Sequence, residues 1–593
     1  MAEFKQLIIT QKGQALMAKM IAGTGNVQFT KINVSDATYT DAQLPTLTAL
    51  TGVKQTTSIS RVIRTNSVAI QVEGAVTNTA LTTGYYMRTI GLYALDPQEG
   101  EILYAVTIAS VAGYMPPYNG LTVSGAFFKL VTTVSNSNNV TLNVDPGAVA
   151  TIGDIQELNN KIADLQAYVG YTETDIVGIE ADFAARTVKR IAGAVNRTAG
   201  AMFNDIQAFG GRRRCIVNNA GKVLAYYGEA GYTETGALLQ AITISTTTYP
   251  VGEKVQVMVE QPKFYYKVVP LKLDKVVGGK GFHLRKARYY VSDTKRDGFK
   301  LHPAFISNNV KKNFIYMSAF EASLFDVSAG INLGNDEQIA DFTPTTGDML
   351  SSVANVRPMS GQVQDLTRAK TRILAQNRGT GWQQAYGATV AATQLLFAVE
   401  YASFNSQSAI GFGVSKTDDG VNNMAELTGG TSTLGNASGA ITNANGFNVV
   451  SYRGEENFWM NIWSWVDGLN IYAYGEHSLY VADNGFADNI SAAPYKDAGI
   501  TIAKASGYIS AFGYNEEFDW LFFPSETTGN SSVPVGDYLY QNNTASSWLV
   551  ALLGGSWTHS SYGGAFCWLV SNSSTSRIRS VGGRLVYVPS EVA

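Results

Sequence analysis

The segment GYYMRTIGLYALDPQEGEILYAV, residues 84–106, decides how the first part of the chain folds. From its second half onward, apolar side chains recur at every second position, at Ile102, Tyr104, Val106 and Ile108. Successive side chains of a strand point to opposite faces of a sheet, so this period predicts a half-buried strand.

The sequence on either side of this segment supports a β-rich domain. The same alternation occurs at Val68, Ile70 and Val72 and again at Val140, Leu142 and Val144. Residues 13–22 instead space their apolar side chains three and four positions apart, which predicts one short helix packed on the core. Asp145-Pro146-Gly147 is a turn signal. We therefore expect the first domain to cover residues 1–148.

A heptad pattern follows this turn. Its a positions are Ile155, Ile162, Val169, Ile176 and Phe183, and its d positions are Leu158, Leu165, Thr172 and Ile179. Such a seam predicts a coiled coil, so residues 149–203 are interpreted as a helical stalk through which chains associate. β-Branched residues at a with leucine at d favour a two-stranded coil. A short helix pair packed on a domain is the alternative, and Gly170 and Gly178 disfavour one continuous helix.

The remaining residues, 204–593, are rich in Gly, Tyr, Trp, Asn and Ser. This composition favours strands, turns and loops over helices. The apolar pattern over residues 382–401 predicts one helix. Residues 418–448, rich in Gly, Thr, Asn and Ser, are interpreted as a long surface loop.

The chain carries few charges: 15% of its 593 residues are charged and the net charge is −3. This composition does not indicate a nucleic-acid partner. Two cysteines, Cys215 and Cys567, are too few for a disulfide framework. No apolar run approaches the about 18 residues that cross a membrane. The N-terminus lacks the apolar region of a signal peptide, so we expect synthesis in the cytoplasm without an export signal and no membrane insertion.

Part of the opening segment resembles the signature of the phage tail-collar fibre family. The residues that carry the resemblance are Met87, Arg88, Ile90, Gly91, Leu92 and Tyr93. Thr89 departs from the family, which more often has Glu there. In that family the domain attaches the fibre to the baseplate or tail tip and precedes a coiled-coil stalk. The resemblance implies a tail fibre of a contractile-tailed phage or phage-tail-like bacteriocin, located in the virion tail.

Residues 202–589 are similar to the C-type-lectin fold of phage receptor-binding proteins. The matching pieces are Gln261-Pro262-Lys263-Phe264-Tyr265-Tyr266, residues 452–471, Gly554-Gly555-Ser556-Trp557 and Gly582-Gly583-Arg584-Leu585-Val586. The resemblance implies a receptor-binding tip, a homotrimer rather than a dimer, and a Gram-positive host. The expected fold is thus mixed and mainly β. It comprises a β-rich collar domain (1–148), a helical coiled-coil stalk (149–203) and an α+β C-type-lectin-like domain (204–593).

One segment stands out as a candidate binding site, because residues 538–576 contain no Asp, Glu, Lys or Arg. Aromatic rings give rigid contact area, and Ser or Asn gives adaptable hydrogen bonds, as in antibody paratopes and sugar sites. We predict contacts with a bacterial surface glycan or protein at Trp548, Trp557, His559, Ser560, Tyr562, Phe566, Asn572 and Ser573. A core position is the alternative for Trp557. The tryptophans of residues 459–465 are interpreted as core rather than as a second sugar site.

Patterns typical of enzymes and metal sites are weak. The four histidines show no metal-ligand spacing. The ligand motifs of calcium-dependent lectins do not occur. Val277-Gly278-Gly279-Lys280-Gly281 lacks the frame of a phosphate-binding loop. Arg212-Arg213-Arg214 is interpreted as a solvated turn. We expect no catalytic residue, no metal and no cofactor.

Two alternative functions stay open. A tailspike depolymerase would need paired carboxylates, for which Glu516, Glu517 and Asp519 are the candidates, although their run also fits a loop that enters a strand. A purely structural baseplate component would bind other tail proteins and would not bind cells.

Overall fold

The computed structural model describes residues 3–22, 27–64, 69–118, 124–133, 171, 174–334, 338–416 and 424–589. The chain divides into two compact units, residues 1–164 and 165–593. Strands dominate both units. The α-helices of the described part are Gln11–Ile21, Gln207–Gly210, Arg368–Gln376, Gly387–Tyr401 and Ser406–Ala409. None of these helices is long and apolar enough to span a membrane.

Among its described residues, the first unit has two antiparallel sheets and one α-helix. The larger sheet has the order Glu3–Phe4, Gly100–Met115, Tyr85–Asp96, Gln28–Ser35, Val53–Ser58, with Ile8–Ile9 also paired to Gly100–Met115. The smaller sheet has the order Arg61–Arg64, Ala69–Thr77, Gly125–Thr133. The apolar faces of both sheets share one core with the helix, which begins after Thr10 and buries Leu16 and Met20.

The predicted strands and helix of this unit are confirmed where they can be compared. The alternation from Ile102 to Ile108 falls in the strand Gly100–Met115, and the predicted helix is Gln11–Ile21. Val68 and residues 140–147 lie outside the described residues.

The signature residues occupy the strand Tyr85–Asp96, which lies between two neighbouring strands of the larger sheet. Met87, Leu92 and Tyr93 are buried, whereas Arg88 is exposed and donates to the Asp36 carbonyl at 3.2 Å. The signature therefore contributes mainly to the core of the unit.

Gly91 shows why this strand needs a glycine. A Cβ at Gly91 would lie 2.8 Å from a terminal methyl of both Leu50 and Leu103. We expect Gly91→Ala to destabilise the first unit by about 1–3 kcal/mol through overpacking. Denaturant unfolding followed by far-UV circular dichroism measures this. Gly125→Ala is the control, because its Cβ would meet no atom closer than 3.4 Å. Equal stability of the two variants would contradict the expectation.

The part of the second unit that the structure describes contains three large sheets. The seven-stranded sheet comprises Thr187–Ala192, Ile176–Asp182, Phe282–Ser292, Tyr265–Lys275, Lys300–Leu301, Ala511–Tyr514 and Pro524–Glu526. The six-stranded sheet has the order Val223–Tyr226, Arg213–Asn218, Val255–Pro262, Phe314–Ser318, Leu585–Tyr587, Trp382–Gln384. The eight-stranded sheet has the order Lys496–Thr501, Glu476–Val481, Trp463–Tyr474, Trp548–Leu553, Trp568–Asn572, Tyr538–Gln541, Gly507–Tyr508, with Val581–Gly582 paired to Trp463–Tyr474.

Smaller antiparallel sheets complete the unit. They are formed by Ile242–Ile244 with Thr247–Tyr249, by Ile306–Ser307 with Val310–Lys311, by Ile331–Asn332, Ser323–Asp326 and Met349–Ser351, and by Gly439–Thr442, Asn448–Tyr452 and Glu455–Glu456. The last of these sheets and the short 3-10 helix Ser432–Leu434 lie within or beside the predicted surface loop, residues 418–448. Residues 418–423 of that loop lie outside the described residues.

The helix Gly387–Tyr401 lies in the centre of the second unit. All of its residues except Tyr401 are buried. Apolar side chains occur on every side of the helix, and its buried Gln394 and Glu400 have partners within the protein. It packs on the strands Phe282–Ser292, Trp463–Tyr474 and Ile176–Asp182. The predicted helix over residues 382–401 is therefore confirmed from Gly387 onward, whereas its first residues form the strand Trp382–Gln384.

The predicted helical stalk is wrong. Ile176 and Ile179, assigned to the heptad seam, lie fully buried in the strand Ile176–Asp182. This strand pairs with Phe282–Ser292, and a Cβ at Gly178 would lie 2.6 Å from the Tyr289 carbonyl oxygen. The other seam positions assigned to association, Ile155, Leu158, Ile162, Leu165 and Val169, lie outside the described residues. Over the described residues the fold is thus almost entirely β, without the long helical stalk predicted between the β-rich collar and the tip.

The arginine triplet is not a solvated turn as predicted. Arg212 and Arg214 are 1% and 0% exposed, and Arg213–Asn218 is a strand of the six-stranded sheet. Arg212 pairs with Glu455, and Arg214 pairs with Glu234 at 3.1 Å. These carboxylates offset the cost of burying the two guanidinium groups.

Candidate functional site

The eight-stranded sheet has apolar side chains on both faces. Along the strand Trp548–Leu553, the side chains at 549, 551 and 553 pack into the large core, while Val550 and Leu552 lie on the opposite face. There Val550 and Leu552 form a small second core with Trp463 and Trp465. The second face therefore has a buried centre, and aromatic residues surround it.

Five aromatic side chains beside this second core are called the tyrosine surface here: Tyr508, Tyr538, Tyr540, His559 and Tyr562. The ring centroid of Tyr562 lies 5.6 Å from that of Tyr508, 5.0 Å from that of Tyr538 and 6.4 Å from that of Tyr540. Tyr562 is 42% exposed, and the other four side chains are half-buried. The rings thus pack against one another and still face solvent.

Local structure positions these rings. Tyr538 and Tyr540 are two residues apart in the strand Tyr538–Gln541, so they share one face of the sheet. Tyr508 lies opposite Tyr538 in the neighbouring strand. Residues 560–562 form a 3-10 helix, and the Gln407 side-chain amide donates to the Ser560 carbonyl at 3.0 Å. This bond anchors the loop that carries Tyr562.

The tyrosine surface is electrically neutral. The His559 ring packs edge-on to Trp463 with centroids 5.0 Å apart, and its Nδ1 lies 2.8 Å from Ser556 Oγ. Burial lowers the pKa of His559 to about 4, so the imidazole is uncharged near neutral pH. Burial also raises the pKa of Tyr538 and Tyr540, so both keep their phenol protons. The surface therefore offers ring faces and hydroxyls without net charge.

A second aromatic patch lies on the same sheet. Tyr472 and Tyr474 have ring centroids 4.5 Å apart, and Trp548 packs edge-on to Tyr472 at 4.9 Å. Tyr480 of the next strand lies 5.9 Å from Trp548. Tyr472 and Tyr474 are 37% and 45% exposed. Contiguous exposed aromatic residues of this kind are typical of interaction surfaces.

The structure separates the predicted contact residues into three groups. His559, Ser560 and Tyr562 come together at the tyrosine surface. Trp548 belongs to the second patch. Asn572 lies at the same end of the sheet, since it pairs with Val550, two residues beyond Trp548. The following Ser573 is exposed, and its Oγ lies 3.0 Å from that of Thr575.

Burial removes two residues from the predicted set. Trp557 is 3% exposed and packs with Ile462 and Val449, and Phe566 is fully buried in the large core. Neither side chain can contact a ligand at the surface, so both assignments are corrected to core. The interpretation of the tryptophans at 459, 463 and 465 as core is confirmed by their exposures of 1%, 2% and 0%.

The sequence interpretation did not assign contact roles to Tyr508 and Tyr538, or to Tyr472 and Tyr474. Both Tyr538-Leu539-Tyr540 and Tyr472-Ala473-Tyr474 place two tyrosines on one face of a strand around an apolar residue that faces the core. This spacing of two tyrosines around an apolar residue is the sequence signal that could have identified both pairs. The position of Tyr508, by contrast, depends on a strand pairing across about thirty residues of sequence.

Two of the three carboxylates named for the depolymerase alternative have partners within the protein. Asp519 is 8% exposed, accepts from the Tyr266 hydroxyl at 2.6 Å and pairs with Lys300 at 2.8 Å. Glu517 instead pairs with Lys496 at 2.7 Å. Both carboxylates are therefore committed to protein partners. Across the described ranges, no group of three or more His, Cys, Asp or Glu could hold a metal ion.

Comparisons with known proteins bear mainly on the first unit. Residues 1–153 match the model of the family described as phage tail-collar fibre protein, N-terminal, which supports a phage tail fibre located in the virion tail. A search of curated proteins gives no match. A solved structure named Major Tropism Determinant P3c Variant is similar at 11% identity and a TM-score of 0.22, over 63% of this chain and 71% of that one. This TM-score does not establish a shared fold, and the C-type-lectin likeness of residues 202–589 stays a prediction.

Proposed function

We propose that the chain is a tail fibre of a contractile phage or phage-tail-like bacteriocin that binds a receptor on the bacterial surface. The first unit attaches to the baseplate. The second unit binds the receptor, a surface glycan or protein of a Gram-positive host, through the tyrosine surface. The working form is a homotrimer, in which three weak contacts add up to avid binding. The fibre has no catalytic activity.

The neutral tyrosine surface is the observation that carries the receptor-binding proposal. Tyrosine gives large contact area with little side-chain entropy to lose, and its hydroxyl donates and accepts hydrogen bonds. Its ring faces suit the C–H faces of a sugar or the side chains of a protein loop. A structural role alone would not require Tyr562 to be 42% exposed beside three further half-buried tyrosines.

The first experiment measures binding of the fluorescently labelled full chain to a panel of Gram-positive strains by flow cytometry. We expect saturable, strain-selective binding. A parallel incubation with purified cell wall measures release of reducing ends, and we expect none. Release of reducing ends would replace the proposal by the depolymerase function. Absence of binding to every strain would replace it by the structural baseplate role.

A further inference from the structure

A cleft in the second unit shares no lining residue with the tyrosine surface. Its volume is about 520 Å³, within the range of about 300–1,000 Å³ typical of small-molecule sites. The predicted surface loop contributes Leu434, Asn436 and Ser438 to its lining. The six-stranded sheet contributes Arg213, and Tyr227 directly follows the strand Val223–Tyr226 of that sheet. The cleft therefore combines the arginine triplet with the long loop, two features that the proposed function does not use.

Arginines line the cleft, whereas the carboxylates that pair with them do not. Three arginines line it, and none of its lining residues is acidic. The carboxylate partners are buried and do not line the cleft: Glu455 pairs with Arg212, Glu260 with Arg213 and Glu400 with Arg453. Arg212 and Arg453 are 1% and 4% exposed and already paired, so Arg213 is the arginine of the cleft that a ligand can reach. This arrangement favours an anionic group there.

Arg213 can contact such a ligand directly. Its side chain is 43% exposed, and its guanidinium lies 3.8 Å from the ring centroid of Tyr226. Its Nη2 donates to Glu260 at 3.1 Å, and its Nε and Nη1 make no hydrogen bond within the described part of the chain. The stacking on Tyr226 holds the planar group in place, and the remaining N–H groups can donate to a carboxylate or phosphate.

Two amide side chains present further donors. Asn436 Oδ1 accepts from the Arg214 backbone N–H at 2.7 Å, and Asn204 Oδ1 accepts from Arg453 at 3.0 Å. Their NH₂ groups donate no hydrogen bond within the described residues, so they are available to a ligand. Tyr227, 37% exposed, adds a ring face and a hydroxyl. A ligand with many acceptor oxygens and an apolar face fits this combination.

We propose that this cleft binds an anionic saccharide, meaning a sugar that carries a carboxylate or a phosphate. The charged group lies against Arg213, the sugar hydroxyls accept from Asn204 and Asn436, and the C–H face of the ring lies on Tyr227. The cleft does not include the tyrosine surface, so an experiment can contradict either proposal without contradicting the other.

The test titrates the full chain by isothermal calorimetry with D-glucuronate, D-glucose 6-phosphate, D-glucose and inorganic phosphate. We expect at least one anionic sugar to bind ten times more tightly than D-glucose and than inorganic phosphate. Arg213→Gln should weaken that binding tenfold or more. Tyr227→Leu, which keeps every charge, should weaken it to a similar extent. Arg186→Gln, a change at an exposed arginine outside the cleft, should leave it unchanged. Tryptophan fluorescence verifies that each variant is folded.

Each outcome decides the proposal. Binding of glucuronate alone identifies the carboxylate as the recognised group, and binding of glucose 6-phosphate alone identifies the phosphate. Binding of inorganic phosphate as tight as that of the sugar phosphate would overturn saccharide recognition. Equal binding of D-glucose, or no binding of any of the four compounds, would overturn the proposal. So would anionic-sugar binding that both cleft variants retain.

Discussion

Arg453→Ala is expected to lower the free energy of unfolding of the second unit by about 3–5 kcal/mol, the cost of removing one partner of a buried ion pair. Arg453 is 4% exposed and Glu400 is 0% exposed. The guanidinium donates to both carboxylate oxygens of Glu400, at 2.6 and 2.7 Å, and also to the carbonyl oxygens of Gly200 and Phe209. Without Arg453, the Glu400 carboxylate stays buried without its cation.

Denaturant unfolding followed by tryptophan fluorescence measures this loss. All 8 tryptophans of the chain lie in the second unit, so the signal reports on that unit alone. Lys496→Ala is the matched control, since the pair Lys496–Glu517 has side chains 67% and 60% exposed. Exposed pairs contribute about 1 kcal/mol or less. A loss in Arg453→Ala no larger than in Lys496→Ala would contradict the assigned role of the buried pair.

Glu321→Gln is expected to remove a loss of stability that the second unit of the wild type shows as pH rises from 4.5 to 8. Glu321 is fully buried, and its Oε2 accepts from Asn461 at 2.8 Å and from Asn457 at 3.1 Å. Burial is the main cause that raises its pKa from 4.5 to about 8, and the nearby Arg584 opposes the rise. The folded state therefore keeps the proton on Glu321 at neutral pH, whereas the unfolded chain releases it.

The sign of the effect follows from this proton difference. Below pH 4.5 Glu321 is protonated in both states and its titration has no effect on stability. Between pH 4.5 and 8 the unfolded state binds fewer protons, so each pH unit lowers wild-type stability by at most about 1.4 kcal/mol. Above pH 8 the cost is constant. Glutamine does not titrate, so the stability of Glu321→Gln relative to wild type should rise from pH 5 to pH 8. Fluorescence-detected unfolding at each pH measures this difference, and a flat difference would contradict the prediction.

Local patterns predicted part of the fold. An apolar period of two residues predicts the strand Gly100–Met115, and a spacing of three to four residues predicts the helix Gln11–Ile21. Both patterns can be recognised within a short stretch of sequence. The heptad prediction failed at Ile176 and Ile179. Apolar residues in these positions also suit a buried strand, and the pairing with Phe282–Ser292 decides between the two structures. The strand Phe282–Ser292 lies more than a hundred residues along the chain, and the spacing of apolar residues around Ile176 does not indicate that pairing.

The sequence pattern also could not predict which charged side chains are buried. The arginine triplet looks solvated when only its neighbours are considered, yet Glu234 and Glu455 supply buried partners from distant parts of the chain. The exposure of aromatic side chains at the tyrosine surface could not be predicted from the sequence either. The uncharged segment contains four of the five residues of the tyrosine surface. Whether an aromatic ring lies in the core, as Phe566 does, or faces solvent, as Tyr562 does, depends on tertiary packing.

Cell binding by the double variant Tyr508→Ser/Tyr562→Ser tests the central claim, receptor recognition through the tyrosine surface, most directly. These two rings stack 5.6 Å apart and one of them is the most exposed member of the surface. The control is Tyr86→Ser, because Tyr86 lies in the first unit and is 48% exposed, against 42% for Tyr562. We predict that the double variant binds a receptive strain at least ten times more weakly than wild type, while the control binds like wild type. Tryptophan fluorescence verifies that the second unit of the double variant is folded, and far-UV circular dichroism verifies the control, because the first unit contains no tryptophan. Undiminished binding by a folded double variant would contradict the account.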